Sequence, residues 1–152
     1  MCFPVWGHHA IAFSRLLPYR GWGRDEIWLI DRNGGGRRTV TGPVPKHLLG
    51  QGFSGLRPIS WSEDGNELVA VRMNEFGGPP YAVDPRSGAI RRIGDFGLYA
   101  WPAGLSRDGR FVLVEEGGLP ETGDRLGIAI VPYRGGRARL IATSAGSPSW
   151  NR

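Results

Sequence analysis

The 152 residues suffice for one domain with a sizeable core, and 25 Gly and 12 Pro cut the chain into segments too short for long helices. The lone Cys2 excludes an internal disulfide, and apolar runs such as Leu126–Val131 fall far below the ~18 residues that span a bilayer. The net charge of +5 comes from arginines scattered in ones and twos, with Lys46 the only lysine, so the clustered basic face of a nucleic-acid binder is not expected.

In chain order, Met1–Arg15 lacks a basic segment followed by a continuous apolar one, so it does not read as a signal peptide, and the sequence as it stands implies a cytoplasmic location. Pro4-Val5-Trp6 and Ala10-Ile11-Ala12-Phe13 are two short strand candidates. The intervening His8-His9 pair would point to opposite faces of an extended segment, so no metal site is expected there. Arg15–Arg24 reads as a connection containing the turn-like Gly21-Trp22-Gly23. Next come Ile27-Trp28-Leu29-Ile30-Asp31, a Gly-rich turn, and the short segment Arg37–Val40.

Thr41–Arg57 is a second connection, with Lys46–Gly52 expected as a loop or a single helical turn. His47 stands alone, and Gly52-Phe53-Ser54-Gly55 lacks the Gly-x-Ser-x-Gly spacing of a nucleophile elbow. From Pro58 the chain reads Ile-Ser-Trp61-Ser62-Glu-Asp64-Gly65-Asn-Glu-Leu68-Val-Ala-Val71. Forty-four residues after Trp61, Leu105-Ser106-Arg107-Asp108-Gly109-Arg110 repeats the apolar-Ser-x-Asp-Gly core, and Trp150 lies forty-five residues beyond Leu105. A second element recurs behind the first: Ile27–Gly35, Tyr81–Gly88 and Ile128–Gly136, the last with Pro132 in place of Asp. Asp-Gly and Ser-Gly supply turns because glycine accepts positive φ and aspartate bonds its own downstream backbone. Each period of about 45 residues thus encodes four strands, A to D, joined by hairpins.

The Pro-x-x-Trp-Ser-x-Asp-Gly-x-x-Leu-Val stretch, followed by aromatic-Ala-Val-Asp-x-x-x-Gly, resembles the TolB-like repeat, also found in the propeller of prolyl-oligopeptidase-type enzymes. The resemblance covers nearly the whole chain. It implies an all-β partial β-propeller of about three four-stranded antiparallel blades, near residues 4–42, 56–94 and 99–143, with 147–152 starting a further blade strand. The tryptophans at the repeat spacing, Trp6, Trp61 and Trp150, are expected to fill space between blades. Propellers close as rings of ~4–8 blades, so three leave two faces to be covered by more blades or by self-association.

In such a blade the B–C and D–A connections share one end and the A–B and C–D turns the other. The second set is short and repetitive here, whereas Arg15–Arg24, Thr41–Arg57, Met73–Pro80 and Glu115–Asp124 are longer and unlike one another. Variable connections on a rigid scaffold carry binding residues. The candidate face is therefore Tyr19, Arg20, Trp22, Arg24, Glu75, Phe76, Glu115 and Glu116, and a protein or peptide is the expected partner. No catalytic constellation, cofactor, metal, nucleic acid or membrane is expected. Two further readings are a prolyl-oligopeptidase-type hydrolase fragment without its catalytic domain and a carbohydrate- or small-molecule-binding propeller. A neighbouring α/β-hydrolase reading frame would favour the hydrolase reading.

Overall fold

The computed structural model describes residues 4–19, 22–41, 55–72, 77–94, 100–117 and 127–150. They form three four-stranded antiparallel sheets and no helix. Blade 1 contains β1 (Val5–Trp6), β2 (Ala10–Tyr19), β3 (Trp22–Asp31) and β4 (Arg38–Thr39). Blade 2 contains β5 (Leu56–Trp61), β6 (Leu68–Arg72), β7 (Pro80–Val83) and β8 (Ile90–Arg92). Blade 3 contains β9 (Ala100–Leu105), β10 (Phe111–Glu116), β11 (Gly127–Pro132) and β12 (Arg139–Thr143). Strand order within each blade follows the chain, as hairpins alone would produce.

The Ser-x-Asp-Gly core builds the A–B turns through its own side chains. The Ser62 hydroxyl donates to Asp64 Oδ1 at 2.6 Å, Asp64 Oδ1 accepts the Asn66 amide at 3.0 Å, and Ser62 Oγ accepts the Glu67 amide at 2.8 Å. Ser106 and Asp108 repeat the arrangement, with Ser106 Oγ accepting the Phe111 amide at 2.9 Å. Gly65 and Gly109 take φ of 68° and 66°, the left-handed conformation that closes each turn. Ser62 is buried, so Ser62→Ala is expected to cost about 1–2 kcal/mol in a denaturant melt, because it strands the Glu67 amide and removes the support of Asp64.

The Ser62 hydroxyl and the Asn66 amide hold the Asp64 carboxyl down at about 2. A depressed carboxylate contributes stability above its unfolded value of ~3.9 and loses it as pH falls through its folded value. Asp84 and Asp108 are lowered by the same kind of hydroxyl and amide contacts. Acid unfolding should therefore steepen below about pH 4, and Asp64→Asn should flatten that limb in a pH series of urea melts.

Consecutive blades pack face to face, and alternation along the strands decides which side chains meet. Ala12, Ile27 and Leu29 of blade 1 meet Leu68, Ala70, Tyr81 and Val83 of blade 2. Val69 and Ala82, on the reverse side of blade 2, meet Val112, Val114, Ala129 and Val131 of blade 3. Burying such a side chain fully is worth about 1.5–3 kcal/mol relative to exposure, so these two layers hold the blades together. Arginines clamp the rims: Arg38 Nη1 donates to Pro85 O at 2.6 Å, and Arg91 Nη1 donates to Tyr133 O at 3.1 Å. Arg38 and Arg91, each from an adjacent arginine pair, thus serve blade junctions.

One connection differs from its sequence reading. Arg15–Arg24 is not a long loop, because β2 and β3 stay paired from Ala10↔Asp31 to Tyr19↔Trp22. Gly23, from the turn-like Gly21-Trp22-Gly23, faces Pro18 inside this ladder. Among the described residues β1 pairs with β2 only at Ile11 and Ala12, and the other edge of β2 has no partner strand beyond that point, so Pro18 can leave its missing donor there. The expectation for Lys46–Gly52 lies outside the described residues.

Candidate binding face

The ends of β2, β6 and β10 and the starts of β3, β7 and β11 lie at one end of their blades, where the sequence placed its candidates. Tyr19, Trp22 and Arg24 therefore sit on strands at the far end of the blade 1 hairpin rather than in a loop. Arg20, Glu75 and Phe76 lie outside the described residues. Glu115 and Glu116 end β10, opposite Ile128 and Gly127. Glu115 is half-buried and Glu116 exposed, as their opposite orientations on one strand require.

Glu115 is already engaged. Its carboxylate accepts the Ser147 amide at 2.8 Å, and three residues later Trp150 Nε1 donates to Gly104 O at 3.1 Å. The segment after β12 thus lies along blade 3 without pairing in any sheet among the described residues. Of 147–152, expected to start a further blade strand, residues 147–150 are described and pair in no sheet among the described residues, and 151–152 lie outside them.

A buried polar layer that the sequence reading did not single out underlies this end. Asp25, Glu26 and Arg72 are buried although charged, together with Ser14 and Thr41. Arg57 Nη2 stands 3.5 Å from Asp25 Oδ2, Gly55 bridges Asp25 in parallel fashion, and Thr41 Oγ1 accepts the Ile27 amide at 3.0 Å. Burial raises the Asp25 carboxyl above its ordinary value, with Arg57 acting against that rise. The layer ties the long blade 1 hairpin to blade 2. No local sequence signal announces it, because Arg24-Asp25-Glu26 reads as an ordinary solvated charge run.

At the opposite end, Tyr133 donates to Glu67 Oε2 at 2.6 Å, with Arg91 and Arg134 within 3.7 and 3.8 Å of the same carboxylate. Burial and this bond push the Tyr133 hydroxyl upward, so it stays a neutral donor joining blades 2 and 3. Among the described residues no three His, Cys, Asp or Glu side chains come together as a metal ion would need. The rings of His8 and His9 lie 6.5 Å apart and are tilted by 55°. No helix among the described residues is long and apolar enough to cross a membrane.

The tryptophans divide. Trp61 Nε1 donates to Val5 O at 3.0 Å across the blade 1–2 junction, and Trp150 makes the corresponding bond on blade 3. Trp6, expected to fill a junction, is 63% exposed because no described blade precedes blade 1. Trp101 is 42% exposed.

Three consecutive four-stranded blades packed face to face define part of a β-propeller. The fold is TolB-like. The crystal structure of TolB from Acinetobacter baumannii matches 92% of this chain at a TM-score of 0.65 and 16% identity, over 32% of its own length. An oligogalacturonate lyase in complex with manganese matches 89% of the chain at a TM-score of 0.55 and 13% identity, over 37% of its own length. The chain therefore spans about a third of the length of these structures. No family model and no curated protein matches the sequence.

Proposed function

We propose that this chain is a non-catalytic β-propeller interaction module that binds a protein or peptide at the end formed by its B–C connections. The observation supporting this reading is Glu115, whose carboxylate accepts a backbone amide from an irregular segment lying on blade 3. An acceptor at a blade rim, beside an adjacent indole–carbonyl bond, is chemistry that an extended peptide satisfies by its main chain, with side-chain identity supplying selectivity. Connections of unlike sequence at the same end supply that selectivity on a scaffold held rigid by two apolar layers.

The test is a peptide-display selection against the immobilised chain, repeated with a Trp22→Ala/Arg24→Ala variant. Peptides enriched on the wild type should bind the variant at least about tenfold more weakly, a loss of ~1.4 kcal/mol. Equal enrichment on both proteins would place the binding surface elsewhere.

A further inference from the structure

Each blade presents two unlike faces, and the register defines them. Trp6↔Ile11, Trp61↔Leu68 and Leu105↔Val112 close the A–B turns, so Ile11, Leu68 and Val112 are equivalent, as are Ala12, Val69 and Leu113. Leu68 and Val112 face the blade before them, and Ala12 and Val69 face the blade after. By the same alternation Ile11, Phe13, Trp28 and Ile30 form the face of blade 1 toward a preceding blade. None of the four is fully buried. Trp28 Nε1 is shielded from solvent, yet it has no acceptor among the described residues. On blade 3, Leu113, Glu115, Ile128 and Ile130 form the face toward a following blade.

These two open faces are the complementary pair that meets at both internal junctions. Val5 and Gly104 hold the same register position, one residue before Trp6 and Leu105. The carbonyl of Val5 receives the indole of Trp61 from the next blade, and the carbonyl of Gly104 receives that of Trp150. Trp150 thus sits where the first strand of a following blade would place its last residue. Trp6 is the equivalent of Trp61 and stands exposed. Charge agrees with apolar shape: Arg15, exposed over the Trp28 ring at 5.1 Å, lies on the open face of blade 1, two residues beyond Phe13. Glu115 lies on the open face of blade 3, one register position short of the height of Arg15.

We propose that the occupant of both faces is a second copy of this chain, related by a two-fold axis, so that two copies close a six-bladed ring. Blade 3 of each copy packs on blade 1 of the other. The partner's Trp6 takes the carbonyl of Gly104, Arg15 pairs with Glu115 across each new junction, and the 144–150 segment is an internal stand-in that must leave first. The cap makes the pairing-competent state a minority and weakens association by that fraction. Four strands already fill blade 1, so the segment competes with the partner's β1 rather than adding a strand beside it.

Analytical ultracentrifugation over a concentration series, with circular dichroism to confirm folding, tests this on the full chain. Wild type should show a monomer–dimer equilibrium. Trp150→Ala should strengthen it at least about tenfold by removing the cap. Trp6→Ala alters an exposed side chain, so it should keep the fold and abolish the dimer. Arg15→Glu should do the same, and Arg15→Glu with Glu115→Arg should restore pairing. A chain that stays monomeric in the Trp150→Ala form, a Trp6→Ala variant that dimerises as well as wild type, or assemblies larger than two would each overturn the proposal.

Discussion

Leu68→Ala should lower stability by about 3 kcal/mol, seen as a fall in the denaturant midpoint with an unchanged slope. The side chain is fully buried at the start of β6 and packs among Ala12, Ile27 and Leu29 of blade 1. Truncation removes the transfer free energy of the lost methyl groups and leaves a cavity that neither blade can close by itself. Both walls are sheets fixed by their own ladders, so relaxation is limited and the cost falls well inside the 2–5 kcal/mol range for buried leucines. Leu140→Ala is the control. That leucine is 52% exposed on the outermost strand of blade 3, and its loss should change stability by no more than about 0.5 kcal/mol. Equal effects from the two variants would mean that the blade 1–2 layer does not carry the stability assigned to it.

Gly55→Ala should be as damaging, through a different mechanism. Gly55 adopts a φ of 120°, where other L-residues are strained, and a Cβ placed there would collide with the carbonyl oxygen of Asp25. The obstacle is backbone, which cannot swing aside as a long side chain can. Opening the Asp25–Gly55 bridge would also pull Arg57 from the buried Asp25 carboxylate. A cost of about 3 kcal/mol is expected, with a fall in Tm of about 6–12 °C for a chain of this size. A Tm within about 1 °C of wild type would show that blades 1 and 2 are not joined at this point.

These two positions differ in how far the sequence announced them. Leu68 follows the Ser-x-Asp-Gly turn in a run of apolar residues, so a buried strand there was legible at once. Gly55 reads in the sequence only as part of a poor match to a nucleophile elbow, and nothing local points to Asp25, thirty residues earlier. The blade 1 hairpin shows the same limit. Arg15–Arg24, with its turn-like Gly21-Trp22-Gly23, reads as a loop by local propensity, but a ladder of ten pairs outweighs weak strand formers such as Pro18 and Gly23 when the proline faces an edge that is open among the described residues. Tyr19, Trp22, Arg24, Glu115 and Glu116 lie at the end of the blades where the strand pattern of the sequence puts them. Sequence reasoning missed the buried layer of Asp25, Glu26 and Arg72, with the half-buried Arg57 beside it, because charged residues read from sequence as solvated.

Turn chemistry acts within about five residues, so the Ser62–Asp64 and Ser106–Asp108 hairpins, the four-strand repeat and the number of blades were written locally in the chain. The fate of each tryptophan was not. Trp6, Trp61 and Trp150 share a motif position, yet one is exposed and two are anchored to carbonyls, 56 residues away for Trp61 and 46 for Trp150. That difference was decided only when the sheets stacked, because an indole is buried only where another blade stands against it.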